Sequence, residues 1–322
     1  MQPAPPLTRR KFKTVSFFAT NYVSNLVDSL SQLLKTRFGI ETTQVTLTRL
    51  LTEQDVQANE AAPTELMFIL IPHLLVNSVS RLPPSGKYVL YQLEQLNDKG
   101  AGNLRPKVIF NDLFCRLIQQ SLVTFDYTSI NVGCYPASCK DKVRVLIPPI
   151  KSAVGRATTS RLSERPDVLF YGNTNSRRNI IIGKLTKQLN AHGHSVKVVN
   201  GLFGEELLDI VSQSKVVLNI HFYENSILES DRIHIALQFP HVRVVSEYPT
   251  SRDETTAHLY ESHPRILFCN EVRDYSNCDP TINVNLTDEL FKTCLKALAS
   301  ADKGNGNGKG KGKGNSGLDS VC

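Results

Sequence analysis

Residues 216–237 read VVLNIHFYENSILESDRIHIAL, and the succession of patterns within them decides the fold. A short apolar run, VVLN, gives way to a polar loop and then to a segment with apolar residues at helical spacing. That order is a buried strand of a parallel sheet feeding a crossover helix. The unit recurs on either side. DVLFY at 167–171 reads as a strand, and the spacing predicts a helix over 178–192. Residues 195–199, 215–220, 242–246 and 265–268 read as further strands, with helices over 204–214, 228–238 and 287–299. The connections are short enough for right-handed crossovers.

The alternation also holds upstream. TVSFFA at 14–19 reads as a strand, and leucines at 26, 30, 33 and 34 mark a helix over 22–36. Residues 44–47, 65–71 (ELMFILI), 88–93 (YVLYQL), 123–126 and 143–147 read as strands, and 74–79 and 111–120 as helices. Periodicity is lost after Ile147-Pro148-Pro149. The fold class is therefore α/β, two Rossmann-like domains facing across a cleft. The division expected is a flexible start (1–10), an N-terminal domain (11–150), a polar linker (151–166), a C-terminal domain (167–286), a final helix (287–300) and a Gly/Lys-rich disordered tail (301–322).

Composition narrows the function classes. The 322 residues suffice for two domains, and 41% hydrophobic content is globular. No apolar run is long enough to span a bilayer, and no signal peptide opens the chain, so a cytoplasmic protein without a transmembrane segment is expected. Seven cysteines occur without a CxxC pair or zinc spacing, which reads as reduced structural thiols and no metal site. Part of the +7 net charge sits on four tail lysines, and there is no Arg-rich helix or aromatic RNA-binding strand, so nucleic acid is not the expected partner.

Two loops carry the chemistry. In YGNTNSRRNIIIGKL, Gly172 follows a strand and precedes a helix, the position at which a doubly wound sheet offers backbone N–H groups to phosphate. Arg177 and Arg178 stand in the opening turn, where the helix dipole disfavours cations unless an anion is bound. After the 216–219 run, the loop containing His221, Tyr223, Glu224 and Asn225 borders the same crevice. Glu229, at the next helix start, is suited to accept hydrogen bonds from a ribose diol. The loop with Asn200, Gly201, Phe203 and Gly204 is expected to take the nucleobase through backbone atoms. The GxGxxG turn and the acid about 20 residues on that a dinucleotide oxidoreductase needs are missing.

The order YGN, SRR, VVNGLFGEEL, VVLNIHFYENSILESDRI and VVSE resembles the C-terminal domain of GT-B glycosyltransferases, especially those of large DNA viruses of algae and amoebae and their bacterial relatives. YVLYQLEQ and FDYTSIN are similar to the N-terminal halves of that group. The resemblance implies transfer of a sugar from a nucleotide-diphosphate sugar to a hydroxyl of a glycan or glycoconjugate, and a location in the host cytoplasm if the source is viral. By position it implies that Gly172, Arg178 and Lys184 face the diphosphate and Glu229 the ribose. Many retaining relatives carry two glutamates separated by seven residues. Here His221 stands eight positions before Glu229, and Glu224 five before it, which leaves retention or inversion open. A sugar-nucleotide-binding protein or degenerate transferase subunit is the alternative.

No Asp-x-Asp occurs, so a metal-independent reaction without cofactor is expected, with arginines and a helix N-terminus meeting the charge of the leaving group. A catalytic base would come from the N-terminal domain. Glu94 is preferred, and His73 and Asp126 are the other candidates.

Overall fold

The computed structural model describes residues 12–20, 23–46, 65–72, 82–96, 111–148, 165–223, 226–254, 256–269 and 280–306. The helix read over 74–79 and most of the linker and tail lie outside them.

Two parallel sheets make up the molecule. The first contains β1 (Thr14–Ala19), β2 (Glu41–Thr46), β3 (Glu65–Leu70), β4 (Tyr88–Gln92), β5 (Thr124–Asp126) and β6 (Val143–Val145), in the order β2-β1-β3-β4-β5-β6. Its helices are α1 (Ser24–Phe38), α2 (Asp112–Gln120) and the short α3 (Ser129–Cys134) and α4 (Ala137–Lys140). The second contains β7 (Val168–Tyr171), β8 (Val196–Val199), β9 (Val216–Asn219), β10 (Arg243–Ser246) and β11 (Ile266–Phe268), in the order β11-β10-β9-β7-β8. Its helices are α5 (Ser176–Ala191), α6 (Gly204–Gln213), α7 (Ser230–Leu237), α8 (Ala257–Glu261) and α9 (Pro280–Gly306). This is the doubly wound α/β architecture expected from the strand–helix alternation.

The strands form where the sequence places uninterrupted apolar runs, because a parallel sheet is covered on both faces. Phe17, Phe68 and Tyr91 pack on one face of the first sheet, and Met67, Ile69 and Leu90 on the other. In the second sheet Val168, Phe170 and Leu218 face α5 and α9, while Leu169, Val217 and Val244 face α6 and α7. Each such buried side chain contributes roughly 1.5–3 kcal/mol. The final helix begins at Pro280 and runs into the Gly/Lys segment as far as Gly306, longer at both ends than the 287–300 expected. Its Leu286, Leu290 and Cys294 complete the core of the second sheet, so it belongs to that domain.

Each sheet reverses its strand order once, between β1 and β3 and between β7 and β9. Crevices at the carboxyl ends of such strands are where this architecture binds ligands. The two carboxyl edges face each other. Gln95, just beyond β4, accepts a hydrogen bond from the Ile227 N–H at 3.0 Å. Asp253, beyond β10, accepts from Thr128 and Ser129 beyond β5. A Cβ placed on Gly204 would lie 3.9 Å from the Ser24 hydroxyl at the start of α1.

Candidate functional site

The crevice of the second sheet opens at Gly172, directly after β7. Its φ of +113° is a backbone conformation that L side chains rarely adopt, and a Cβ there would meet Nη2 of Arg232 at 3.1 Å. The chain then turns into α5 through Asn175, whose side chain caps the helix by accepting from the Arg178 N–H at 2.9 Å. The helix starts at Ser176, two residues before the 178 that periodicity predicts, because the Asn175 cap carries no apolar signal.

The two arginines of the opening turn, expected at the diphosphate, are engaged with carboxylates. Arg178, 2% exposed, grips both oxygens of Glu229 through Nη2, at 2.8 and 2.7 Å. Its Nε and Nη1 donate to the carbonyls of Ile220 and Asn173, and its guanidinium lies over the rings of Phe170 and Phe222. Burial lowers its pKa to about 10. Arg177 pairs with Glu247, 2.6 Å from Nη2 to Oε1, and also donates to the His221 carbonyl. The unfavourable dipole at this helix start is thus offset by Glu247 from the end of β10 and Glu229 from the start of α7.

Glu229 is the hub. Besides Arg178 it accepts from Nη1 of Arg232 at 2.9 Å and from the Phe222 N–H at 2.6 Å. Although burial acts to raise it, the Arg232 and Arg178 charges hold its pKa down at about 2. Each oxygen accepts two hydrogen bonds, which fills the usual four lone-pair directions of a carboxylate. Glu229, expected at the ribose, is thus held by donors of its own domain.

Arg232 is the cation the sequence reading left without a role. Its Nε donates to the Tyr171 carbonyl and its Nη1 to Asn219 at 2.6 Å and to Glu229. Nη2 lies against Gly172, 3.1 Å from where a Cβ would stand. Its i,i+3 spacing from Glu229 was a legible signal. Asn219 and Glu247, at the ends of β9 and β10, complete the cluster. Three guanidinium groups thus meet the carboxylates of Glu229 and Glu247 at the switch point.

His221 lies within the cluster, 2% exposed, with Nε2 3.2 Å from the Glu247 carbonyl. A carbonyl can only accept, so Nε2 carries the proton. Burial lowers the imidazole pKa, and Nδ1, 4.0 Å from Glu229, has no hydrogen-bond partner among the described residues. Tyr223 stacks edge-on against Phe222, and its phenol pKa is raised by burial and then by Glu94 and Glu229. Lys184 is exposed, eight residues along α5 and about 12 Å from the helix start at the standard helical rise. That distance removes it from the phosphate loop. Asn200, Gly201, Phe203 and Gly204 form the turn between β8 and α6, where Gly204 approaches Ser24. Glu224, Asn225 and His73 lie outside the described residues.

Across the seam, Glu94 is half-buried, and burial followed by repulsion from Glu229 raises its pKa. Asp126 corrects the third catalytic candidacy. It is 0% exposed, and its oxygens accept from the Thr128 N–H, the Asn131 amide and the Tyr135 hydroxyl. Burial lifts its pKa to about 7, yet nothing outside the fold can reach it. A cavity of about 30 Å3 at the seam is lined by Thr128, Ile227, Asp253 and Tyr260, beside the cluster and not over Glu229.

No family model and no curated protein matches the sequence. Similar solved structures include an iron-containing heptosyltransferase in complex with ADP-D-β-D-heptose, at 10% identity over 92% of this chain and 77% of that one, TM-score 0.40. A UDP-forming trehalose-phosphate synthase from Burkholderia xenovorans is similar at 9% identity, 89% and 95% coverage and TM-score 0.43. A diflavin flavoprotein from Nostoc sp. is similar at 12% identity over 44% of this chain and 99% of that one, TM-score 0.32. Scores this low carry no argument, so the fold rests on the strand order itself. Among the described residues no helix is long and apolar enough to cross a membrane.

Proposed function

We propose that the chain is a glycosyltransferase that moves a sugar from a nucleotide-diphosphate sugar to a hydroxyl of a glycan or glycoconjugate. The observation that carries this reading is the cluster of three arginines at the β7/β9 switch point, with Nη2 of Arg232 beside Gly172, and with Glu94 of the other domain near enough for Glu229 to raise its pKa. The diphosphate lies against the Gly172 backbone and Arg232. Arg178 and Glu229 hold Arg232 in place and set the charge of the floor.

As the bond from the sugar to the diphosphate breaks, negative charge builds on the leaving oxygen, and fixed guanidinium groups at a low-dielectric crevice stabilise it. Glu94 takes the proton from the acceptor hydroxyl. A carboxylate raised by burial and by a neighbouring acid is a stronger base than an ordinary one, which suits it to that step. Direct displacement of this kind inverts the anomeric centre. The reaction uses no metal, since the guanidinium groups meet the diphosphate charge.

The test incubates the full chain with UDP-, GDP- and CMP-linked sugars and a panel of acceptors, and measures released nucleotide and product anomer. Turnover that survives chelation by EDTA and is lost in Glu94→Gln, with nucleotide binding retained, is the expected result. Tight nucleotide binding without turnover on any donor overturns the enzymatic reading in favour of a binding protein.

A further inference from the structure

The residues that join the two domains form a closed circuit of hydrogen bonds. The Asp253 carboxylate, 7% exposed, accepts from the Thr128 hydroxyl at 2.6 Å, the Ser129 N–H at 2.7 Å and the Ser129 hydroxyl at 2.6 Å. It thereby anchors the start of α3, which Thr128 caps, to the opposite domain. On α3, the fully buried Asn131 donates to the Glu94 carbonyl at 2.8 Å and accepts from the Leu96 N–H at 2.8 Å. Asp126 and Tyr135 brace Asn131 from behind. Between Glu94 and Leu96, Gln95 accepts from the Ile227 N–H.

The return path runs through the second domain. The Ser226 N–H donates to the Thr250 hydroxyl at 2.8 Å, and the Ser251 N–H donates to the Ser226 carbonyl at 3.0 Å. Asp253 follows two residues later and Glu229 two residues beyond Ile227. Both sides of the seam are therefore tied to the loops that carry Glu94 and Glu229.

We propose that Asp253 is a positioning residue: by anchoring the start of α3 across the seam it closes this circuit and holds the loop that carries Glu94 against the loop that leads to Glu229. The link rests on the transferase reading only for its catalytic consequence. A carboxylate is needed at 253 because three donors converge on it and it is withdrawn from water, where a charged acceptor forms stronger hydrogen bonds than a neutral one. Without it, Thr128 and Ser129 lose their acceptor across the seam, and the Gln95–Ile227 hydrogen bond is left to tie the 94–96 loop to the second domain.

Amide hydrogen exchange of the full chain reads this without any substrate. In Asp253→Ala the Leu96 and Ile227 amides should exchange at least tenfold faster, while those of β7 and β9 keep their wild-type rates. Ser129→Ala, which deletes one hydroxyl bond, should give the same local pattern at smaller amplitude, and this holds the test open should Asp253→Ala fail to fold. In turnover, the acidic limb of the pH–rate profile should move down in both variants as Glu94 swings away from Glu229, and a merely structural role would leave that limb in place. Unchanged exchange at Leu96 and Ile227, or an unmoved limb, overturns the proposal. If the wild type turns over no donor, the transferase reading fails and exchange alone decides the circuit.

Discussion

Glu229→Gln removes the charge from the hub and leaves its shape, so it isolates what the ion cluster contributes. The carboxylate falls from an ordinary 4.5 to about 2 on folding, under the pull of Arg232 and Arg178. At 1.36 kcal/mol per unit this corresponds to about 3 kcal/mol, an upper figure because 31% of the side chain still meets solvent that screens the pair. Removing one partner of a buried pair costs about 3–5 kcal/mol in other proteins, which agrees in size. A carboxylate depressed by folding stabilises fully above its unfolded pKa and loses that stabilisation as pH falls toward the folded one. The wild-type advantage should therefore be about 2–3 kcal/mol at pH 7 and fall to roughly half by pH 3. The chain has no Trp, so urea unfolding is followed by far-UV circular dichroism or Tyr fluorescence. A gap below about 1 kcal/mol at pH 7, the size of an exposed pair, or one independent of pH, would refute the reasoning.

Gly172→Ala should destabilise the chain by about 1–3 kcal/mol, since it forces a Cβ onto a positive φ and against Arg232; a midpoint within about 0.5 kcal/mol of wild type contradicts this. Arg232→Gln should weaken binding of a nucleoside diphosphate about 10- to 100-fold by calorimetry, the worth of one charged hydrogen bond, while Lys184→Ala leaves it unchanged. Equal losses in the two would return Lys184 to the site. The acidic limb of the pH–rate profile should lie above the usual carboxylate range, because burial and Glu229 raise Glu94, and Glu229→Gln should lower it. A limb at an ordinary carboxylate value removes Glu94 as the base.

The strand–helix alternation was legible because a parallel sheet buries both faces of each strand and so demands apolar runs such as VLFY, VVLN and ELMFIL. Glycine at 172 and the acid at 229 could likewise be read from their places after a strand and before a helix. The short helices α3, α4 and α8 could not. They have too few turns for an apolar period, and α3 is held by Asp253, a residue 124 positions away with no local mark.

The partners of the charges were decided by the fold alone. Arg178 meets Glu229 across 51 residues and Arg177 meets Glu247 across 70, because parallel pairing brings the carboxyl ends of β7, β9 and β10 to one edge. A linear sequence shows two arginines at a helix start as an unmet charge, whereas the sheet supplies the acids that meet it. The same order of strands sets Nη2 of Arg232 beside Gly172, and the seam brings Glu94 close enough for Glu229 to raise its pKa. Local pattern determined the elements and the place of the crevice, since both follow from burial along the chain. Which group in the crevice remains available to a ligand depends on contacts between distant segments, and only the tertiary structure specifies those.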